Sequence, residues 1–121
     1  MNKESLNEAA DLFLRSIEID NNFGQAYSYL AFTISHFVFL GFSKNSEGDI
    51  KKAKFYVEKA LDCDNRDSLA HEMLARIYSL SKNHDQAVEA AKKAIECNVN
   101  SSSAYMFYAS ALTLLIDVKK L

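Results

Sequence analysis

The side chains of this sequence that could do chemistry are three histidines, two cysteines and 16 carboxylates. None of the histidines is followed, three or four residues later, by a second histidine, a cysteine or a carboxylate, the spacing at which one helix face presents two ligands to a metal ion. The three glycines are scattered, so no glycine-rich loop is available to bind phosphate. No local nucleophile–histidine–acid motif is present, although residues distant in sequence can assemble such a triad. We therefore expect no metal, no cofactor and no enzymatic activity.

The two cysteines, Cys63 and Cys97, lie 34 residues apart in similar stretches of sequence. If these stretches are neighbouring helices, their axes are about 8–10 Å apart, whereas a disulfide needs Cα atoms within about 7 Å. We therefore predict two inert, buried thiols. Free thiols in an otherwise ordinary composition indicate a reducing compartment, so the expected location is the cytoplasm.

Length and composition restrict the class of protein. The chain has 121 residues, a mass of 13.6 kDa and a formal net charge of −2, which suits a single domain. Three residues are glycine and none is proline, which favours an all-helical chain over folds rich in turns. The balance of 14 basic and 16 acidic residues disfavours nucleic acid as a partner. No apolar run approaches the roughly 18–20 residues that span a bilayer, so we expect no membrane segment.

The elements that must position these side chains follow an internal repeat. The segment Ala53–Asn65 is matched by Ala87–Val99, with alanines and a cysteine at corresponding places 34 residues apart. An earlier copy, Ala9–Asn22, precedes the first by 44 residues, which is one period of 34 with an insertion of ten. Each period has room for two helices, and a single pair cannot bury its apolar face without a neighbour.

Hydrophobic spacing within the repeat predicts six helices. They cover residues 3–20, 23–40, 47–63, 67–81, 84–97 and 101–118. Ser46 with Asp49 is predicted to cap the third helix, because side-chain oxygens can accept from free helix N–H groups. For the same reason, Asp67 or Arg66-Asp67 is predicted to open the fourth helix and Ser101-Ser102 the last. Gly41 is predicted to end the second helix.

A 34-residue unit of two helices with this pattern of large and small residues resembles the tetratricopeptide repeat. The characteristic first-helix positions hold Tyr27, Leu30–Ala31 and Ile34, then His71, Leu74–Ala75 and Tyr78, then Tyr105, Tyr108–Ala109 and Leu112. The second-helix positions hold Ala9, Phe13 and Ser16, then Ala53, Val57 and Ala60, then Ala87, Ala91 and Ala94. The proline that usually follows the second helix is missing from every copy.

The resemblance implies an all-α, right-handed superhelical array of antiparallel helix hairpins, an α-solenoid of about six helices. We expect one domain over residues 1–121. Its parts are a partial repeat at 1–22, a repeat with the ten-residue insertion at 23–66, a repeat at 67–100, and a partial repeat or capping helix at 101–121.

The function that the resemblance implies is non-catalytic: a scaffold that binds a protein or peptide segment in its concave groove. By position, the groove residues are Gln25, Ser28, Phe32, Ser35, His36, Leu69, Glu72, Arg76, Ser79, Ser103, Met106 and Ser110. These positions hold no lysine, which disfavours the clamp for a C-terminal carboxylate that the family also uses. The set suits a neutral or amphipathic segment. The alternative is that these residues are only the exposed face of a scaffold.

The insertion suggests a second function. An elongated first helix followed by Gly41-Phe42-Ser43 resembles the repeat regions of bacterial signalling proteins, where such arrays adjoin nucleotide cyclase domains or winged-helix transcription regulators. On that reading the chain is a regulatory or assembly segment of a larger protein. The other reading is a tolerated loop insertion.

The last predicted helix is apolar almost all round, which is the pattern of a helix buried on more than one side. Its apolar face predicts self-association, most simply as a two-fold homodimer. The residues assigned to that contact are Leu114, Leu115, Ile116 and Val118. In a longer parent protein, the next helix would cover the same face.

Overall fold

The computed structural model describes residues 2–120, which form two compact units, one ending at Asn65 and the other beginning at Arg66. The first unit contains α1 (Lys3–Ile19), α2 (Gly24–Phe39) and α3 (Ser46–Cys63). The second contains α4 (Ser68–Leu80), α5 (His84–Cys97) and α6 (Ser102–Lys119). The all-α prediction is confirmed, and the described residues contain no strand. Every helix begins and ends within one residue of its predicted bounds. The reason is that the capping residues and the hydrophobic period indicate the same helix ends.

In the first unit, α2 packs against both α1 and α3. The contact with α1 includes stacked rings of Phe13 and Tyr29, whose centroids are 5.7 Å apart. On the other side, the rings of Tyr27 on α2 and Tyr56 on α3 lie 6.3 Å apart. Small residues on the two helices, such as Ala31 and Ala53, are fully buried, which allows the backbones to approach.

In the second unit, α5 packs against both α4 and α6, and α4 also contacts α6. Ala75 of α4 is buried in one cluster with Ala90 and Ala91 of α5. A second cluster joins Ala87 and its neighbour Val88 to α6. Tyrosines from α4 and α6 fill the space around both clusters, so alanines set the spacing of the helices and aromatic rings occupy the gaps.

The predicted small-residue positions have unequal surroundings. Ala31 and Ala75 are buried, as the repeat predicts, whereas Ala109 at the corresponding place on α6 is exposed. The reason is that α3 covers this face of α2 and α5 covers it on α4, while no helix among residues 2–120 covers it on α6.

The helix caps are confirmed at two of the three predicted places. The Asp67 side chain accepts from the N–H of Ala70 at 3.1 Å, and Ser101 caps α6 in the same way. The prediction for α3 is wrong by one residue, since Asn45 is the cap and accepts from the N–H of Gly48 at 3.1 Å. Ser46 already lies within the first helical turn, where its hydroxyl cannot reach forward to a free N–H group.

The insertion is held by local hydrogen bonds. Gly41, with a φ of 81°, ends α2, and the N–H of Phe42 donates to the carbonyl of Phe37 at 3.1 Å, which is the Schellman pattern. The rings of the same two phenylalanines lie 5.7 Å apart. The Ser43 hydroxyl donates to Asp49 at 2.6 Å. Each residue of the Gly41-Phe42-Ser43 tripeptide therefore has a structural role within the first unit.

The prediction of two buried thiols is only partly right. Both cysteines are free, as expected, but Cys63 is exposed and Cys97 is half-buried. Each is the last residue of its helix, where fewer side chains surround it than at mid-helix. Among residues 2–120, none of the helices has the combination of length and apolar character needed to cross a membrane.

Candidate functional site

The predicted groove residues of the second unit lie on α4 and α6, which contact each other. Glu72 of α4 is buried, and its carboxylate accepts hydrogen bonds from the hydroxyls of Ser103 and of Ser101, the latter at 3.1 Å. Because Ser101 also caps α6, this carboxylate fixes the beginning of α6 against α4.

One turn further along α4, Arg76 extends over α6. Its guanidinium carbon lies 5.2 Å from the centroid of the Phe107 ring, within the range of a cation–π contact. Burial lowers the pKa of Arg76, and the negative charge of Glu72 opposes that shift. An arginine retains its charge under these conditions, so the surface contains a cation held at a fixed place.

The rest of this surface is open. Met106 on α6 is 71% exposed and Ser110, one turn later, is also exposed. Leu69 and Ser79 on α4 are half-buried. We call the surface formed by these four residues and Arg76 the α4–α6 face. It offers a flexible thioether, hydroxyl groups and a held guanidinium, all of which suit binding rather than bond making.

The predicted groove residues of the first unit lie on α2. Gln25 is exposed, Phe32 and His36 are half-buried, and their two rings stack with centroids 5.4 Å apart. Ser28 and Ser35 are buried, and their hydroxyls donate to carbonyls of the same helix, Gly24 at 3.4 Å and Phe32 at 3.1 Å. Within this structure the two serine hydroxyls are bonded to the backbone of their own helix and do not face solvent.

Sequence reasoning missed one aromatic neighbour of this site. The exposed ring of Phe39 stacks on His36 with centroids 6.1 Å apart, and so continues the row that begins at Phe32. Its spacing of seven residues from Phe32 and three from His36 is the signal that could have found it.

The residues assigned to self-association are divided between two environments. Leu114, Ile116 and Val118 are exposed on α6. Leu115 instead packs against the buried cluster that contains Ala87 of α5.

The second unit also contains an open groove of about 530 Å³ between α4 and α5. His71, Tyr78, Glu89 and Lys93 are among its lining residues. His71 is buried, as its large-residue position in the repeat predicts. Over residues 2–120, no three histidine, cysteine or acidic side chains come together as metal ligands.

Comparison with known families agrees with the helical-repeat fold. Residues 69–98 match the family model described as tetratricopeptide repeat, so the match begins in α4 and ends just after α5. The chain resembles the tetratricopeptide-repeat family. Tetratricopeptide repeats are generally non-catalytic and serve protein–protein interaction. None of the curated proteins matches the chain.

Proposed function

We propose that this tetratricopeptide-like chain is a non-catalytic interaction module that binds a segment of a protein partner on the α4–α6 face. The observation that carries the proposal is the exposure of Met106 on α6, next in sequence to Phe107, whose ring contacts the guanidinium of Arg76. An exposed thioether adapts to apolar side chains of different shapes, and a held cation loses little entropy when it accepts a ligand.

The chemistry of the face indicates the kind of segment. Arg76 and the hydroxyls of Ser79 and Ser110 can donate to carbonyl groups of a bound chain, while Met106 contacts an apolar side chain. We therefore propose a neutral or amphipathic segment with one apolar anchor. Glu72 serves beneath this face by holding α6.

The α2 face of the first unit supports a second, separate contact of the same kind. Gln25 supplies an exposed amide, and the row from Phe32 through His36 supplies aromatic surface. We propose that both faces work in the reducing environment of the cytoplasm, where the two free thiols remain reduced.

The alternative function is a regulatory or assembly segment of a larger signalling enzyme or transcription regulator. It rests on the elongated first helix followed by the Gly41-Phe42-Ser43 tripeptide. Local structure accounts for each residue of the tripeptide. Gly41 ends α2, the ring of Phe42 contacts Phe37, and the hydroxyl of Ser43 donates to Asp49. No further observation favours the alternative over a binding module.

A random-peptide display library, selected on the unmutated chain, tests the proposal. The selected peptides are then measured against Met106→Glu and against Val99→Glu, which places the same charge at another exposed apolar position. We expect Met106→Glu to weaken binding by about tenfold or more and Val99→Glu to leave it unchanged. Selected peptides that bind Met106→Glu as tightly as the unmutated chain would contradict the assignment of the face.

A further inference from the structure

The two complete hairpins use the same faces to join their helices. In the first unit, Tyr27 of α2 contacts Tyr56 of α3. In the second, Ala75 of α4 packs with Ala90 of α5, and Ala90 lies 34 residues after Tyr56. In both hairpins, therefore, equivalent faces of the first and second helices pack against each other.

The α6 helix carries the first of these faces, and none of the other helices within residues 2–120 covers it. The residues 34 positions after His71, Ala75 and Tyr78 are Tyr105, Ala109 and Leu112. Tyr105 and Ala109 are exposed, and Ile116 continues the row as another exposed apolar side chain. We call Tyr105, Ala109, Leu112 and Ile116 the α6 stripe.

The α1 helix carries the matching face, which is likewise left uncovered by the helices that the structure describes. The residues 44 positions before Ala53, Tyr56, Ala60 and Cys63 are Ala9, Leu12, Ser16 and Ile19. Leu12 is 67% exposed and Ile19 is 81% exposed, although both are large aliphatic side chains. We call these four residues the α1 stripe. In α3 the corresponding stripe is the one that contacts α2, since it contains Tyr56.

We propose that the α1 stripe of one copy of this chain docks antiparallel on the α6 stripe of a second copy, as α3 docks on α2. By correspondence with the two hairpins, Leu12 contacts Tyr105 and Ala109 of the other copy. Ala9 and Ser16 stand where α3 and α5 have alanines, so they are small enough for close approach.

A second copy is the occupant because both halves of the contact occur in this one chain. Either stripe alone would not identify its occupant. Together, the two stripes correspond to the faces that pack against each other between α2 and α3 and between α4 and α5. Such a contact is head-to-tail, since it joins two different surfaces. It therefore leaves one free stripe at each end of a pair and continues into a ring or an open filament.

Two exposed positions allow a complementation experiment. Leu12→Glu disables the α1 stripe and Ile116→Glu disables the α6 stripe, while neither side chain is part of a buried cluster. Met106→Glu is the matched control, because Met106 is on α6 and exposed but outside the stripe. Sedimentation velocity over a range of micromolar concentrations measures the mass, and circular dichroism verifies that each variant is helical.

The unmutated chain and Met106→Glu are expected to exceed the 13.6 kDa monomer mass as concentration rises. Leu12→Glu alone and Ile116→Glu alone are expected to stay monomeric, and an equimolar mixture to form a species of twice the monomer mass, because each supplies the stripe that the other lacks.

Other outcomes overturn the proposal. An unmutated chain that stays monomeric shows that the stripes do not bind each other. If Leu12→Glu forms dimers and Ile116→Glu does not, the contact depends on α6 and not on α1. That result indicates the two-fold pairing of α6 with α6 that the sequence predicts. Two monomeric variants that fail to combine when mixed also contradict head-to-tail docking.

Discussion

Gly24 of α2 and Cys63 of α3 approach so closely that a Cβ atom added to Gly24 would lie 2.8 Å from the Cβ of Cys63. The two helices of the first hairpin are therefore in backbone contact at this end. At the corresponding place in the second unit, Ser68 bridges its hairpin by donating to the carbonyl of Ala94 at 3.2 Å. At equivalent positions, the first hairpin is thus joined by close contact at a glycine and the second by a serine hydrogen bond.

Gly24→Ala is expected to lower the free energy of unfolding by about 1–3 kcal/mol, because one helix must move to make room for the methyl group. Cys63→Gly removes the opposing Cβ, so Gly24→Ala should cost much less in that background. Urea denaturation of the four combinations gives the coupling energy. Additive effects of the two substitutions would show that the two residues are not in contact.

Ala75→Leu and Ala94→Leu are each expected to destabilise the chain by about 1–3 kcal/mol, because both alanines are fully buried between helices. Ala109→Leu is the matched control, since it makes the same change at the repeat position corresponding to Ala75, where the side chain is exposed. At low protein concentration its denaturation midpoint should be close to that of the unmutated chain. Equal losses at Ala75 and Ala109 would contradict the difference between α4 and α6.

Gly41 follows α2 and Lys82 follows α4, and both have a positive φ. Replacing the glycine should lower stability, whereas introducing a glycine at Lys82 should raise it. Gly41→Ala should lower stability by about 1 kcal/mol through backbone strain alone, because no atom lies within 4 Å of the added methyl group. Lys82 has a φ of 62°, so Lys82→Gly should raise stability by up to about 1 kcal/mol. Ser81→Gly, at a φ of −87°, is the control and should bring no gain. A stabilising Gly41→Ala would exclude the assigned helix end.

Glu72→Ala is expected to destabilise the second unit by about 1–3 kcal/mol, because two serine hydroxyls lose a charged acceptor and α6 loses its attachment to α4. The control is Glu89→Ala, which breaks an exposed contact with Lys92 at 3.7 Å. That change should alter stability by no more than about 0.5 kcal/mol. Thermal unfolding followed by circular dichroism compares the two, and equal midpoints would refute the role given to Glu72.

Much of the fold could be predicted because it is periodic. Helix bounds follow from hydrophobic spacing. The caps at Asp67 and Ser101 follow from the preference of helix N-termini for side-chain acceptors. The prediction of Ser46 as the cap of α3 misses Asn45 by one residue, because both are good acceptors and the period does not distinguish adjacent positions.

The candidate site was less predictable because its contacts join residues far apart in sequence. The repeat pattern places Glu72 and Arg76 among the groove positions of one helix, but their partners on α6 follow from how the helices pack. The exposure of Cys63 and Ala109 likewise depends on which helices surround them, which a repeat pattern assumes to be the same in every copy.

The central claim is that the α4–α6 face binds a partner segment. Its most direct test is a nuclear magnetic resonance titration of the unmutated chain with a display-selected peptide, in which amide shifts map the contact. The account predicts the largest shifts around Met106, Ser110 and Arg76, and their loss in Met106→Glu. The largest shifts around Glu89 and Lys93, in the groove between α4 and α5, would contradict it.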